Sequence, residues 1–173
     1  KDCKITIYTN QDSIYHPSTK MNFNKSTRQL SFIDYKEGIS ASPWVDSYHC
    51  VDIYTEAVYA HLDKEDIEFS AIRGPKREAF AVIESNNYYS ENKWNELQGI
   101  ESVNPLYRVK QFTDKYNKNE FTVKQFAKFI KLDEVQAKMM LMNLALNGFI
   151  VYESYRETAI VKQKLYDYIL SKN

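Results

Sequence analysis

Residues 122–152 read TVKQFAKFIKLDEVQAKMMLMNLALNGFIVY, and this stretch decides the fold of the second half of the chain. Thr122 and Asp133 are favoured N-cap residues, and each precedes a run with helical spacing of apolar side chains. Gly148 ends the second run, because glycine readily adopts the left-handed backbone conformation found after a helix. The apolar residues 149–152 then indicate a strand. The stretch therefore predicts two successive helices that lead into a strand.

The flanking sequence adds a helix before this stretch and a second strand after it. Asn104 is a good N-cap, and Pro105 suits the first helical position, where its missing N–H costs nothing. An apolar stripe follows on the same helix at Leu106, Val109, Phe112 and Tyr116. Residues 153–157 indicate a turn and residues 158–161 a return strand. A last amphipathic segment carries Leu165, Tyr168 and Ile169.

Three helices followed by a β-hairpin is the order of a winged helix-turn-helix, and residues 105–162 resemble that family. Residues 122–130 resemble its second helix, and residues 133–147 resemble its third. The resemblance implies a winged-helix-like fold for this part of the chain. It does not imply one function, because winged helices serve both in DNA binding and in protein contacts.

The first half of the chain predicts mostly strands. Apolar and polar residues alternate over residues 4–9, 20–24, 29–33 and 67–72, and residues 79–83 indicate a further strand. Turn-like residues between the second and third of these segments indicate a hairpin. Residues 51–62 fit either a strand or a helix, and the charged turn at residues 63–66 favours a strand. Residues 73–77 indicate a turn, and Ser90 can cap a short helix that carries Trp94 and Leu97.

The charge pattern divides the chain at Asn104-Pro105. The 173 residues include 23 basic and 23 acidic ones, and this net charge of zero argues against a strongly basic nucleic-acid domain. Residues 1–104 sum to 11 − 16 = −5, however, and residues 105–173 to 12 − 7 = +5. No Gly/Ser-rich linker lies at the junction, and opposite charges favour contact. We therefore predict an α+β fold with an acidic, strand-rich lobe at 1–104 packed on a winged-helix-like lobe at 105–173.

The third predicted helix offers a contact surface. At 100° per residue, four side chains fall within about 60° of each other; they are Gln136, Met140, Asn143 and Asn147. The rest of the circumference, including Val135 and Met139, is nearly all apolar and is therefore predicted to face the interior, which leaves these four side chains as the exposed stripe. Asn and Gln can read adenine edges, but no Arg or Lys joins this stripe, and phosphate neutralisation supplies much of the affinity for DNA. The lysines lie instead at Lys115, Lys118, Lys124, Lys128 and Lys131, and the last three share a face of the second helix. The predicted contact surface therefore comprises the four-residue stripe and these three lysines.

The sequence predicts no cofactor and no metal. The four glycines are too far apart to form a phosphate-binding loop, so nucleotide fingerprints are absent. The spacings of His16, His49 and His61 do not match a ligand pair for a metal, which favours structural or surface histidines. Cys3 and Cys50 form no CxxC pair. They are interpreted as buried free thiols, and a disulfide would require an oxidising compartment.

Catalytic arrangements are equally weak in the sequence. Ser, His and Asp occur together at residues 46–49, but no GxSxG nucleophile elbow exists. Four aromatic residues could form a sugar-stacking platform, although packing in a core or sheet is the ordinary interpretation; they are Trp44, Tyr48, Tyr88 and Tyr89. We therefore predict that the chain is not an enzyme.

Several strings resemble a family of large uncharacterised proteins in Bacteroides-type bacteria. They are DSIYHP at residues 12–17, SPWVDSYH at 42–49, QGI at 98–100 and NPL at 104–106. The resemblance implies an internal region of a longer, exported or envelope protein, with a cytoplasmic location as the alternative. It implies no activity.

These observations favour a non-catalytic interaction or structural region of a larger protein. Its partner would be another region of that protein or a separate protein. The alternative is a nucleic-acid-binding winged-helix module, which would bind with a steep dependence on salt. No apolar run reaches the roughly 20 residues that a membrane-spanning helix requires, so we predict no membrane span.

Overall fold

A computed structural model describes residues 3–9, 11–34, 38–64, 66–71 and 81–172. The fold is α+β, and strands dominate its N-terminal part, as predicted. The chain divides into two compact units, residues 1–85 and residues 86–173. No helix in the described part combines the length and apolar character needed to cross a membrane.

The first unit is built from strands that pair in antiparallel fashion. They are β1 (Cys3–Thr9), β2 (Asp12–Asn24), β3 (Gln29–Ile33), β4 (Trp44–Asp46), β5 (Val51–Tyr54), β6 (Ala57–His61), β7 (Ile67–Ser70) and β8 (Val82–Ser85), with a 3-10 turn at Gly38–Ala41. The order in the sheet is β7-β6-β3-β2-β4-β5-β8, and β1 also pairs with β2.

The long strand β2 joins the two parts of this sheet. Its first half pairs with β1 and β4, and its second half pairs with β3 from Lys20–Ile33 to Asn24–Gln29. The β2–β3 pairing confirms the predicted hairpin. The sheet encloses a core in which large apolar side chains meet; the buried members are Phe32, Trp44, Ile53 and Val58.

The structure corrects two details of the predicted strands. Residues 51–62 form two strands rather than one, with a break at Thr55 and Glu56. The Thr55 hydroxyl donates to the Ser70 carbonyl, and the Glu56 carbonyl accepts from the Asp34 N–H, so both residues bond outside the strand ladder. Strand β4 and the first half of β2 were not predicted. The predicted turn at 73–77 and the start of the strand predicted at 79–83 lie outside the described residues. In the described part, that strand is β8, which runs from Val82 to Ser85.

The second unit follows the predicted order of three helices and a hairpin. The short helix predicted after Ser90 precedes them, and the last amphipathic segment forms a helix after them. Its elements are α1 (Glu91–Gln98), α2 (Pro105–Tyr116), β9 (Glu120–Thr122), α3 (Val123–Ile130), α4 (Glu134–Leu146), β10 (Ile150–Glu153), β11 (Thr158–Val161) and α5 (Gln163–Lys172). Strand β11 pairs with β10 on one edge and with β9 on the other. Sequence spacing indicated only a break at residues 120–122, because three residues carry too little periodicity to show a strand.

Side chains at the predicted N-caps begin these helices. The Asn104 carboxamide oxygen accepts from the Leu106 N–H, and the Asp133 carboxylate accepts from the Gln136 N–H at 2.8 Å. Thr122 and Gln125 form a capping box, in which each side chain bonds to the backbone N–H of the other. The cap predictions are therefore confirmed.

The division between the units lies before α1, whereas the charge pattern places it after Asn104. The Trp94 ring packs against Tyr107 and Tyr168, and the Asn104 amide donates to the Trp94 carbonyl. These contacts join α1 to α2 and α5. The charges of the two units become 10 − 13 = −3 for residues 1–85 and 13 − 10 = +3 for residues 86–173.

Candidate functional site: two surfaces of the second unit

The first candidate surface is the exposed side of α4. Ala137, Leu141 and Leu144 face the interior, which leaves the opposite side in solvent. Of the predicted stripe, Gln136 and Asn143 are exposed, while Met140 and Asn147 are half-buried at its edge. The Asn147 amide also donates to the Asn143 carbonyl, one turn back along the helix.

Two apolar side chains complete this side of α4. Val135 is 69% exposed and Met139 is 67% exposed, and both were assigned to the interior by their hydrophobicity. At 100° per residue they lie beside Gln136 and Asn143. The α4 face, defined here as Val135, Gln136, Met139 and Asn143, is thus half apolar and half amide.

The basic side chains of α4 and of the β10–β11 turn are already paired. The Lys138 ammonium lies 2.7 Å from the Glu157 carboxylate. The Arg156 guanidinium lies 3.8 Å from both Glu120 and Glu153. Within the described part of the chain, these two elements therefore offer a DNA phosphate no unpaired cation. Tyr155, at the tip of the turn, is fully exposed.

The second candidate surface is a groove of about 380 Å³ between the end of α2, β9 and α3. Its floor consists of four aromatic side chains: Phe112, Tyr116, Phe121 and Phe129. Its rim consists of four lysines: Lys115, Lys118, Lys128 and Lys131. We call this feature the lysine–aromatic groove. Gln125 is its remaining lining residue.

The floor of the groove is held by ring packing. Phe112 contacts Phe121 at 4.5 Å and Phe129 at 5.3 Å between centroids. The Lys115 ammonium lies 5.5 Å from the Tyr116 ring centroid and 5.4 Å from that of Phe129. Such cation–π contacts are weak when exposed to water, so Lys115 is readily displaced toward an anion.

The rim of the groove gathers positive charge without compensation. Lys118, Lys128 and Lys131 make no ion pair with the residues that the structure describes. Lys124, on the same helix as Lys128, is exposed but does not line the groove. The three lysines that the sequence grouped together therefore separate into two that line the groove and one outside it.

The groove was not predicted from the sequence, although its signal was present. Aromatic residues at positions 112, 116 and 129 alternate with lysines at 115 and 128. Helical spacing alone assigns those rings to the core. In the structure, α2 ends beside α3, and Tyr116 at this end remains half exposed. The groove therefore depends on how two helices meet.

The histidines of the first unit have separate roles. His16 is buried; its Nε2 lies 2.8 Å from the Ser42 carbonyl, and its Nδ1 accepts from the Ser18 N–H. The His49 ring pairs with Asp46 at 2.8 Å. Within the described residues, no three His, Cys, Asp or Glu side chains form a group that could hold a metal ion.

Residues 46–49 do not form a nucleophile–base pair in the structure. The Ser47 hydroxyl donates to the Asp12 carboxylate, while Asp46 accepts from the backbone N–H groups of Tyr48 and His49. Asp46 therefore organises the turn between β4 and β5.

The structure also shows the burial of the two cysteines and of Trp44. Both cysteines are free, as interpreted. Cys50 is exposed, however, because it lies in the turn between β4 and β5, and its predicted burial is wrong. Trp44 is fully buried, and its indole N–H donates to Asp34 at 2.6 Å, so this ring cannot stack on a sugar.

A scan against protein-family models, a search of curated proteins and a search of solved structures each find no match to this chain.

Proposed function

We propose that the chain acts by binding a protein, and that the α4 face of a winged-helix-like second unit makes the contact. The observation that carries this proposal is the exposure of Val135 and Met139 beside the amides of Gln136 and Asn143. Exposed apolar side chains beside hydrogen-bonding groups are typical of protein interfaces. The partner surface belongs to a separate protein or to another part of the same polypeptide.

The winged-helix assignment is supported by the order of elements. Helices α2, α3 and α4 are followed by the β10–β11 hairpin, and β9 adds a third strand to that hairpin. In the family that this order resembles, the third helix meets DNA in many members. Here Asp133 and Glu134 stand at the start of that helix, and its one lysine, Lys138, is paired. These features favour a protein partner.

A second candidate function is nucleic-acid binding through the lysines of α3. Lys124 and Lys128 are exposed and carry no acidic partner among the described residues. Phosphate contacts by such lysines would give binding that weakens steeply with salt. This hypothesis uses α3 in place of α4, so the two candidates can be separated by substitution.

The test of the proposed function uses the whole chain with a photo-crosslinking residue at position 139, expressed in cells of its source. We expect one dominant protein adduct at position 139, lost when Val135→Asp is added. A crosslinker at Leu170, which is 68% exposed on α5, serves as the control and should not give that adduct. An adduct of equal yield at both positions would contradict the proposal.

Titration of the whole chain with duplex DNA at two salt concentrations tests the alternative, which is nucleic-acid binding. We expect no saturable binding at either concentration. Tight binding at low salt that Lys124→Glu with Lys128→Glu abolishes would instead establish the nucleic-acid function.

A further inference from the structure

We propose that the lysine–aromatic groove binds an acidic peptide segment that carries one large apolar side chain. The apolar side chain would occupy the aromatic floor, and carboxylates on either side of it would pair with the lysines. This site uses none of the residues of the α4 face, so it is independent of the proposed function.

The shape of the groove fits such an anchor. Its volume of about 380 Å³ lies at the lower end of the range for ligand pockets. Tyr116 is 48% exposed and Phe129 is half-buried, so both can gain contact area when an apolar side chain enters. Burial of an apolar anchor in an aromatic pocket is a common source of peptide affinity.

The charge of the groove selects an acidic partner. Four lysines line it, and no carboxylate of the described residues does. A segment with Asp or Glu on both sides of its anchor would meet a complementary charge on the rim. The Lys115 ammonium, which lies over the Tyr116 and Phe129 rings, can turn to a carboxylate as the anchor covers those rings.

The wall of the groove offers a donor for a peptide backbone. The Gln125 side-chain oxygen is held by the Thr122 N–H at 3.0 Å in the capping box. Its amide nitrogen makes no hydrogen bond with the described residues, and Gln125 is one of the residues that line the groove. A carbonyl of an extended segment can accept from this nitrogen.

The packing of the rings favours a peptide over a nucleic acid. Binding of single strands relies on exposed ring faces on which bases stack. Phe112 and Phe121 are 4% and 3% exposed, and each has a neighbouring ring within 4.5 Å. The two remaining rings lie beneath Lys115. The groove thus receives a side chain more readily than a stack of bases.

The experiment measures fluorescence anisotropy of a labelled peptide that has a phenylalanine between aspartates, titrated with the whole chain. We expect saturable binding that weakens with salt. Lys118→Ala with Lys128→Ala should weaken it about tenfold, because two exposed ion pairs are lost. Lys124→Ala is the matched control, an exposed lysine on the same helix outside the groove, and should leave the affinity unchanged. Tyr116→Ala should also weaken binding.

Control peptides separate charge from apolar contact. A peptide with lysines in place of aspartates should not bind, and one with alanine in place of phenylalanine should bind at least tenfold more weakly. Equal affinity for the wild-type chain and the double variant would overturn the proposal. The proposal would also be overturned if a single-stranded oligonucleotide bound more tightly than the peptide and if Lys124→Ala and Lys128→Ala weakened that binding equally. Amide NMR shifts confined to residues 112–131 would locate the site away from the α4 face.

Discussion

At the scale of single residues, His16, Asp34 and Trp44 form a buried polar cluster in the first unit. The Trp44 indole donates to Asp34, and the His16 ring lies 4.9 Å from the Trp44 ring between centroids. Burial lowers the pKa of His16 from 6.5 to about 4 and raises the pKa of Asp34 from 3.8 to about 7. Both groups are therefore neutral in the folded chain near pH 5.5, whereas both are charged in the unfolded chain.

These opposite pKa changes predict how the stability of the first unit depends on pH. From pH 6.5 down to 4 the unfolded chain protonates His16 and the folded chain does not, which lowers stability as the pH falls. From pH 4 up to 7 the unfolded chain ionises Asp34 and the folded chain does not, which lowers stability as the pH rises. Between pH 4 and 6.5 the two slopes oppose each other, so we expect the free energy of unfolding to change little.

The variant Asp34→Asn isolates the His16 slope. Its amide oxygen can still accept from the Trp44 indole, so the packing is kept. We expect the free energy of unfolding to fall by roughly 1 kcal/mol per pH unit from pH 6.5 to pH 4.5. Urea unfolding at each pH, followed by the NMR signal of the Trp44 indole, measures this free energy. A variant whose pH profile runs parallel to that of the wild-type chain would contradict this assignment of the pKa values.

At the scale of elements, caps and strand edges fix the start and end of the helices in the second unit. Lys131 ends α3 in a left-handed conformation at φ 58°, and its N–H donates to the Ala127 carbonyl. The Lys131 cap and the Thr122–Gln125 capping box stabilise α3, because a helix of eight residues is too short to be stable in isolation. The helix carries Gln125 and Lys128 of the lysine–aromatic groove, so its caps also position the groove.

Removal of the N-cap should therefore destabilise the second unit. We expect Thr122→Ala to lower its free energy of unfolding by about 1 kcal/mol, because the Gln125 N–H loses its acceptor. Thr122→Ser keeps the hydroxyl, so its free energy of unfolding should remain within a few tenths of a kcal/mol of the wild-type value. Urea unfolding followed by the Trp94 indole signal measures both. Equal losses for the two variants would show that the strand position of Thr122, opposite Thr158 in β11, matters more than its cap.

At the scale of the whole molecule, each unit has its own core and its own tryptophan. Trp44 lies in the core of residues 1–85, and Trp94 is 5% exposed within residues 86–173. The Tyr168 hydroxyl donates to the Ser90 carbonyl at 2.6 Å, which joins α5 to the cap of α1. The second unit therefore begins before Ser90.

Two shortened chains test this boundary. A chain of residues 86–173 should unfold cooperatively, whereas one of residues 105–173 lacks Trp94 and Leu97 and leaves Tyr168 uncovered. We expect the shorter chain to be less stable by about 3–5 kcal/mol or not to fold, as for deletion of a large core side chain. Circular dichroism during urea unfolding compares them. If the two chains had equal midpoints of urea unfolding, the boundary would lie after Asn104, as the charge pattern predicts.

Local signals predicted much of this fold because they act within a few residues. Neighbouring side chains were enough to identify the caps at Asn104, Thr122 and Asp133. They were also enough to identify the hairpin within residues 149–161. Strand β4 was missed because three residues carry no periodicity, and its place is fixed by pairing with β2 and β5. On α4, hydrophobicity assigned Val135 and Met139 to the interior, since sequence does not show which side lacks a neighbour.

By itself, the sequence determined the α+β class, the succession of helices and hairpin in the second half, and the residues that cap them. Each of these depends on hydrogen bonds and periodicities that span one or two helical turns. Only the tertiary structure decided the boundary before α1, the exposed α4 face and the lysine–aromatic groove. Those features depend on which side chains from distant segments meet, and that is settled when apolar surfaces are buried together.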